Sequence, residues 1–292
     1  MTARRLESVQ EYYFSKKLRE VAGLVREGID IINMGIGSPD LAPLPSVVKA
    51  LKDSLTHPKA HQYQSYQGLP ELRKGIADFY QRHYQVAVDP SSEVLPLMGS
   101  KEGILHLSMA FLNPGDKVLI PNPGYPTYES VTRLVEAVPV FYDLKPENNW
   151  EPDLAELDKM DLEGVKLLWI NYPHMPTGAN AKQAVFEELI NWARKNNILL
   201  VNDNPYSFLL TDKPQSILTT PRAMDVAMEL NSLSKSFNMA GWRVGMLLGN
   251  EANIKAVLKV KSNMDSGMFY GIQQGAIAAL QAPDSWFEEL NK

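Results

Sequence analysis

Short apolar runs alternate with helically spaced segments along most of the chain. From about residue 90, runs typical of buried strands are followed by segments in which apolar side chains recur every three to four positions. The predicted strands are EVLPLMG, DKVLIPN, VPVFYDL, VKLLWINYP, ILLVNDN, AMELNSLS and WRVGMLLGN. Strands that alternate with helices predict an α/β fold, with a mainly parallel sheet and helices flanking both faces.

The first forty residues have a different pattern. EYYFSKKLREVAGLVREG has the apolar spacing of a helix, and DIINMGIGSPD predicts a short strand that enters a loop rich in Gly and Pro. This part of the chain is therefore predicted to form an N-terminal arm.

Composition narrows the possible partners. Net charge is −5, with acidic and basic residues interspersed, so neither nucleic acid nor an anionic membrane is expected as a partner. The chain has no cysteine, which excludes disulfides, thiol catalysis and Cys-ligated metal and fits a reducing cytoplasm. We see no run of about 18 apolar residues, so no membrane-spanning helix is expected.

Polar side chains collect just after the predicted strands, where ligands bind in parallel α/β sheets. They include an acid, phenols, cations, hydroxyls and a helix N-terminus: Gly99–Lys101, Asn122 with Tyr125, Asn171–Gly178, Asp203 with Tyr206, and Ser232–Arg243. The five histidines are scattered without ligand-like spacing: His57, His61, His83, His106 and His174. A structural role is expected for each, and no metal site is predicted.

The segment GSKEG lies between a predicted strand and a predicted helix. Its free backbone N–H groups would form an anion site at the helix N-terminus, although Gly and Ser also serve there as ordinary turn and cap residues. In SLSKSFNMAGWRVG, Lys235 lies between two apolar runs and near Arg243. Enclosure and a neighbouring cation would lower the lysine pKa and make it a nucleophile for carbonyl carbon; the alternative is an ordinary surface lysine.

Asp203 directly follows a strand predicted to be buried. A carboxylate there needs a cationic partner, which could be another side chain or a pyridinium nitrogen. An amine for a Schiff base, a carboxylate for a ring nitrogen, an aromatic for stacking and an anion site are together the requirements of pyridoxal 5′-phosphate. The chain also resembles the class I/II aminotransferases of the fold-type I pyridoxal phosphate enzymes, from about Ile32 to its end.

The resemblance implies roles around the cofactor ring. Lys235 corresponds to the Schiff-base lysine that also moves the substrate Cα proton, and Asp203 to the partner of the pyridinium nitrogen. Tyr206 corresponds to the phenol that hydrogen-bonds the cofactor 3′-oxygen, and Tyr125 to the stacking aromatic; each tyrosine could instead be a packing residue. Gly37 in GIGSPD is similar to the glycine whose backbone meets the substrate carboxylate.

The resemblance also implies a phosphate site and a shared active site. Ser100, Lys101, Ser232 and Arg243 correspond to phosphate ligands. Tyr63 in HQYQSYQGLPELR resembles a tyrosine that reaches the partner subunit's phosphate in a homodimer, although an ordinary surface turn residue is the alternative.

Met175 departs from the family pattern. The family loop usually reads N-x-P-x-N-P-T-G, whereas this chain has NYPHMPTG, so Met175 replaces an Asn that donates to the cofactor 3′-oxygen. A thioether cannot donate a hydrogen bond, and the loss is about 1 kcal/mol, or about 1.5–3 kcal/mol for an anionic oxygen. We expect a weakened but intact site, in which the lysine–cofactor linkage keeps its proton to higher pH than with Asn.

The resemblance also suggests a domain organisation. Residues 1–45 would form the N-terminal arm and part of a small domain, residues 46–280 the large cofactor-binding domain, and residues 281–292 the start of an interdomain helix. Family members usually continue into a C-terminal small domain with an arginine that binds the substrate α-carboxylate. The given sequence is expected to lack that domain, and no residue here matches the arginine.

The predicted reaction transfers an amino group between an α-amino acid and a 2-oxo acid. SNMDSGMFYGIQQGA resembles LL-diaminopimelate aminotransferases and their close relatives, which suggests lysine-pathway or broad amino-acid substrates. Two alternatives stay open. A β-lyase is one, because substrate contacts choose which bond the cofactor breaks. A non-catalytic aminotransferase-like binding protein is the other, which Met175 and the unmatched arginine favour.

Overall fold

A mixed sheet forms the centre of the molecule. The computed structural model describes residues 2–35, 37–211 and 213–292. Within them the strands are β1 (Val94–Leu97), β2 (Lys117–Asn122), β3 (Val138–Asp143), β4 (Val165–Ile170), β5 (Leu199–Asp203), β6 (Ala227–Ser232) and β7 (Gly245–Leu248). Their order is β1-β7-β6-β5-β4-β2-β3; β7 is antiparallel to its neighbours β1 and β6, and the other pairs are parallel. Each coincides with a predicted strand, so the mainly parallel sheet is confirmed.

Helices precede, connect and follow the strands. They are α1 (Tyr13–Arg26), α2 (Pro45–Ser54), α3 (Pro70–Tyr84), α4 (Ser100–Phe111), α5 (Pro126–Leu134), α6 (Leu154–Leu157), α7 (Gln183–Asn196), α8 (Leu233–Ser236), α9 (Glu251–Lys261), α10 (Tyr270–Leu280) and α11 (Asp284–Leu290). Proline occupies the first position of α2, α3 and α5, where its missing N–H has no helical partner to lose. The helices predicted in the arm and between the strands are present as α1, α4, α5 and α7.

Two apolar cores lie on opposite faces of the sheet. Along β4, Leu168 and Ile170 belong to the core under α3, α7 and α10, while Leu167 and Trp169 belong to the core under α4, α5 and α9. Successive strand side chains point to opposite faces, and here both faces are covered. This explains why the strands are continuous apolar runs. The helices leave the carboxyl ends of the strands uncovered.

The strand predicted in DIINMGIGSPD is wrong for the described residues. Residues 29–35 form no strand, and Ile32 and Met34 are 86% and 89% exposed. The backbone N–H and C=O groups of a strand need hydrogen-bond partners on a neighbouring strand. No described strand lies beside this segment. The apolar run alone does not show whether another strand lies beside it.

The N-terminal arm is mostly exposed. Helix α1 has no buried residue, while the 3₁₀ turn Arg4–Ser8 contacts α5. In the part of the chain that the structure describes, no helix has both the length and the apolar character needed to cross a membrane. Tyr12 and Phe14 of the arm lie near the carboxyl ends of the strands.

Candidate active site

A pocket of about 510 Å³ lies beyond the carboxyl ends of β4, β5 and β6. The predicted site residues that line it are Gly37, Ser100, Lys101, Tyr125, Met175, Asp203, Tyr206, Ser232, Lys235 and Arg243. Tyr63 does not line it and is 91% exposed. Because strands β4 to β6 are parallel, their ends bring residues distant in sequence into one cavity.

Asp203 is the buried acid of the pocket. Its side chain is 4% exposed at the end of β5, and its Oδ2 accepts a hydrogen bond of 2.9 Å from the hydroxyl of Tyr128. Its Oδ1 has no hydrogen-bond partner among the described residues. Burial raises the pKa of Asp203 to about 7, the Tyr128 hydrogen bond opposes this rise, and the charge of Glu229 adds to it. A carboxylate oxygen buried in this way needs an N–H donor or a cation supplied from the pocket.

Lys235 supplies the amine of the pocket. It lies on the short helix α8, is half-buried, and donates a hydrogen bond to the carbonyl oxygen of Gly37. Burial lowers the pKa of Lys235, and the Arg243 charge lowers it further. The neutral, nucleophilic amine is therefore more accessible than on a free lysine. Gly37 is the residue whose backbone is predicted to meet the substrate carboxylate. In this chain its carbonyl oxygen instead contacts the Lys235 amine.

Helix α4 and Arg243 form a cationic corner. Gly99 precedes α4 with φ +91°, and a Cβ built on it would lie 2.1 Å from Nη2 of Arg243. Arg243 itself has φ +57°, a left-handed conformation that is uncommon outside glycine. Ser100 and Lys101 follow as the first residues of α4. A helix N-terminus beside a guanidinium provides N–H donors and positive charge for a phosphate.

Ser232 is already engaged by the protein. Its Oγ accepts the N–H of Ser234 at 3.1 Å and lies 3.2 Å from the carbonyl oxygen of Val244. These contacts cap α8 and tie the end of β6 to the chain entering β7. Ser232 therefore lines the pocket and also holds the short helix that carries Lys235.

Met175 lies beside Tyr206 in the pocket. The Tyr206 hydroxyl donates to the Met175 sulfur at 3.5 Å, and the Met175 backbone N–H donates to Oδ1 of Asn171 at 2.8 Å. Burial raises the pKa of Tyr206 to about 12, and the Asp203 charge contributes. The phenol is therefore a hydrogen-bond donor, whereas the methionine side chain supplies only a weak acceptor.

Sequence reasoning missed several residues of the pocket. Tyr12 and Phe14 line it from the arm, and the Lys101 ammonium lies 3.8 Å from the ring centroid of Tyr12. The sequence predicts Asn171 only as the start of a loop, and Tyr128, which contacts Asp203 from behind the pocket, is not among the predicted residues. The consecutive aromatics of EYYF are a signal for Tyr12, because residues about 100° apart around a helix cannot all pack on one apolar face.

A second polar cluster lies outside the pocket. Ligand atoms of Glu102, His106 and Asp265 lie within 4.8 Å of one another, and His106 Nε2 is 3.2 Å from Glu102 Oε1. The buried ammonium of Lys261 is 2.8 Å from Asp265 and also donates to the Tyr66 carbonyl oxygen. The cluster therefore contains its own cation, which ties the segment carrying Tyr66 to the end of α9.

The residues of the pocket fit pyridoxal phosphate. The unpartnered Oδ1 of Asp203 offers a place for a protonated ring nitrogen, and the Lys235 amine opens onto the same cavity. The corner formed by Gly99, Ser100 and Arg243 offers donors for a phosphate, and a side chain at Gly99 would fill it. The set of donors therefore matches the acid, amine and anion requirements of this cofactor.

Comparisons with known proteins agree with this chemistry. Residues 29–292 match the model of the family described as aminotransferase class I and II. The chain is 42% identical over 288 residues to the LL-diaminopimelate aminotransferase of Aquifex aeolicus, covering 98% of this chain and 74% of that protein.

Solved structures show the same fold. Apo-BacF from Bacillus subtilis superposes with a TM-score of 0.95 at 39% identity, covering 99% of this chain and 74% of that one. Aspartate aminotransferase from Thermus thermophilus with maleate gives a TM-score of 0.92 at 26% identity, covering 99% and 75%.

These matches confirm the predicted fold class and activity. The β-lyase and the non-catalytic binding protein are not favoured, because the relatives that cover nearly all of this chain are named as aminotransferases. The chain belongs to the class I and II aminotransferases and is a pyridoxal phosphate-dependent enzyme that exchanges amino groups between amino acids and 2-oxo acids.

Proposed function

We propose that the pocket beyond β4 to β6 is the cofactor and substrate site, with Lys235 as its reactive amine. The observation that carries this proposal is the buried Oδ1 of Asp203, which has no partner among the described residues, on a side chain that lines the same cavity as the half-buried Lys235. Neither feature stabilises the chain alone, since a buried carboxylate oxygen without a donor is unfavourable. Both are explained by a ligand with a basic ring nitrogen and a carbonyl carbon.

When bound, pyridoxal phosphate supplies the electron sink for carbanion character at the substrate Cα. Asp203 would hold the ring nitrogen protonated, and Tyr125 would pack on the ring. Tyr206 would donate to the ring oxygen. The Lys235 amine would remove the proton from the substrate Cα and deliver it to the cofactor carbon that carries the aldehyde.

The phosphate would lie in the cationic corner. The guanidinium of Arg243 lies against Gly99, which directly precedes α4, and a phosphate there would be held by charge-assisted hydrogen bonds. We propose Ser100, Lys101, Ser232 and Arg243 as its ligands. Lys101 is the most adaptable of them, because in this chain its ammonium rests on the Tyr12 ring.

The proposed amino donor is LL-diaminopimelate or a related amino acid with a polar far end. Several relatives that cover most of this chain carry the name LL-diaminopimelate aminotransferase. Tyr12 and Phe14 line the pocket from the arm, where the Tyr12 hydroxyl would meet the polar end of such a substrate. Gly37 is proposed to contact the substrate carboxylate through its backbone.

A half-reaction screen tests the substrate proposal. The protein is loaded with pyridoxal phosphate, single amino acids are added without an acceptor, and the absorption change to the pyridoxamine form is followed. Conversion with LL-diaminopimelate at a rate well above that with alanine or aspartate is expected. Equal rates with all of these amino acids would contradict the substrate proposal and indicate a broad-specificity enzyme.

We further propose a homodimer, in which Tyr63 reaches the partner subunit's phosphate. Its 91% exposure in the single chain leaves the phenol free to do so. The domain division stays as predicted, with residues 46–280 as the large domain between the arm (residues 1–45) and the start of an interdomain helix (residues 281–292). The lack of cysteine is compatible with the cytoplasm as the proposed location.

A further inference from the structure

Tyr128 lies behind the pocket and contacts two of its residues. It is fully buried in the first turn of α5, and its hydroxyl donates to Asp203 Oδ2 at 2.9 Å. Its ring meets Tyr125 edge to face, with centroids 5.5 Å apart and an interplanar angle of 87°. One side chain therefore touches both the acid and the aromatic that are proposed to hold the cofactor ring.

The surrounding core fixes the Tyr128 ring. It stacks on Trp169 of β4, with centroids 4.8 Å apart and planes 7° from parallel, and Trp169 is itself fully buried. A ring held between Trp169 and Tyr125 has no room to rotate away from Asp203. The hydroxyl is consequently a preorganised donor that does not depend on ligand binding.

We propose that Tyr128 is a positioning residue that keeps Asp203 ionised and turns its free Oδ1 toward the pocket. Asp203 has two carboxylate oxygens, and Tyr128 donates a hydrogen bond to one of them, Oδ2. The other has no partner among the described residues and is left for the ring nitrogen. The inference rests on the proposed role of Asp203, and it adds the residue through which the fold controls that acid.

The electrostatic balance at Asp203 explains why a donor is needed. Burial favours the neutral acid and raises the pKa of Asp203 to about 7, and the buried Glu229 acts in the same direction. The Tyr128 hydrogen bond is the favourable contribution that lowers this pKa. Without it, the proton shared with a ring nitrogen would move toward the carboxylate, and the ring would lose its positive charge.

The apo protein provides the first test. Aspartate carboxyl carbons are labelled with ¹³C, and the Asp203 signal is assigned by its loss in Asp203→Asn. In Tyr128→Phe its titration midpoint should rise by about one pH unit, the size expected for one lost hydrogen bond to a charged group. The matched control is Tyr142→Phe, which removes an equally buried hydroxyl that bonds the Trp169 carbonyl oxygen and should leave the midpoint unchanged.

A second substitution strengthens the hydrogen bond to Asp203 instead of removing it. Placing 3-fluorotyrosine at position 128 keeps the ring but makes the hydroxyl a stronger donor, so the midpoint should fall. This variant also keeps the test decisive if Tyr128→Phe does not fold. An unchanged midpoint in whichever variants fold would overturn the inference while leaving the proposed cofactor site untouched.

The loaded protein provides the second test. With ¹⁵N in the cofactor ring, the nitrogen signal of Tyr128→Phe should move toward the unprotonated position, and the cofactor Kd should rise about tenfold. Tyr142→Phe should change neither. If the apo midpoint rises but the ring nitrogen does not respond, Asp203 is not the partner of that nitrogen. That result would overturn both its proposed role and this inference.

Discussion

The Tyr206 hydroxyl points at the sulfur of Met175, 3.5 Å away. Tyr206 is a donor with its pKa raised to about 12, so this pair directs a hydrogen bond at an atom that accepts poorly. An Asn at position 175 would instead offer an N–H₂ donor to the same part of the pocket. Substituting Met175 should therefore change the hydrogen bonding in this part of the pocket, and that change can be measured.

Met175→Asn should lower the pH at which the cofactor–lysine linkage loses its proton, as followed by its visible absorption. The added donor favours the deprotonated form, and a hydrogen bond of about 1 kcal/mol corresponds to a shift of somewhat less than one pH unit. Met175→Leu, which adds no donor, is the matched control and should leave the midpoint in place. An unchanged midpoint in Met175→Asn would show that position 175 does not reach the ring oxygen.

Asp203→Asn should stabilise the apo protein at pH 8 but not at pH 4. The folded-state pKa of Asp203 is raised to about 7 from 3.8, so the folded protein holds a proton that the unfolded chain releases. The free energy of unfolding therefore falls as pH rises between these values, by up to about 4 kcal/mol, and then stays level. Asn does not titrate and avoids this loss.

Urea unfolding of the apo protein at several pH values measures the difference. A gap that opens between pH 4 and pH 7 is expected, together with weaker cofactor binding by Asp203→Asn. A constant difference across the pH range would mean that burial does not control this carboxyl.

Gly99→Ala should weaken cofactor binding more than it weakens the fold. A Cβ at Gly99 would lie 2.1 Å from the Arg243 guanidinium and displace it from the phosphate corner. Gly115→Ala is the matched control, because Gly115 also has positive φ (+88°) but has nothing within 4 Å of the added atom. Both variants should lose about 1 kcal/mol of stability from the left-handed backbone.

The two variants should separate in a cofactor titration. Only Gly99→Ala is expected to show a Kd raised by tenfold or more, as one charge-assisted contact is lost. Similar Kd values for both would indicate that Arg243 does not bind the phosphate.

Mixing inactive variants tests whether Tyr63 acts across a dimer. Chains with Lys235→Ala and chains with Tyr63→Ala are each expected to be poor enzymes. A mixed dimer would contain one site with both residues intact, so random mixing should restore about a quarter of the parent's sites. Lys235→Ala mixed with Asp203→Asn is the control, because both residues line the same chain's pocket and no intact site can form. No recovery in the first mixture would contradict the shared site.

The fold was largely predictable because both faces of its sheet are buried. The strands VKLLWINYP and ILLVNDN are continuous apolar runs, and they became β4 and β5. The segment DIINMGIGSPD has similar composition, but its described residues pair with no described strand. Pairing is a long-range property, and local pattern alone does not contain it.

The candidate site was predictable where a reactive side chain comes soon after a predicted strand, as at Asp203 and Lys235. Tyr12 reaches the pocket from the arm, and Tyr128 reaches Asp203 from behind through the core. Neither contact leaves a local signature, because both depend on how separate segments pack. A buried tyrosine in an amphipathic helix has the same sequence pattern whether its hydroxyl contacts a reactive acid or a backbone carbonyl.

Borohydride reduction of the loaded protein, followed by peptide mass mapping, tests the central claim most directly. Reduction fixes pyridoxal phosphate permanently to the amine with which it has condensed. The account predicts that the label is found on Lys235, in the peptide that contains SLSKSFNMAGWR, and is lost in Lys235→Ala. A label on Lys101, the other lysine that lines the pocket, or on a scatter of surface lysines would contradict it.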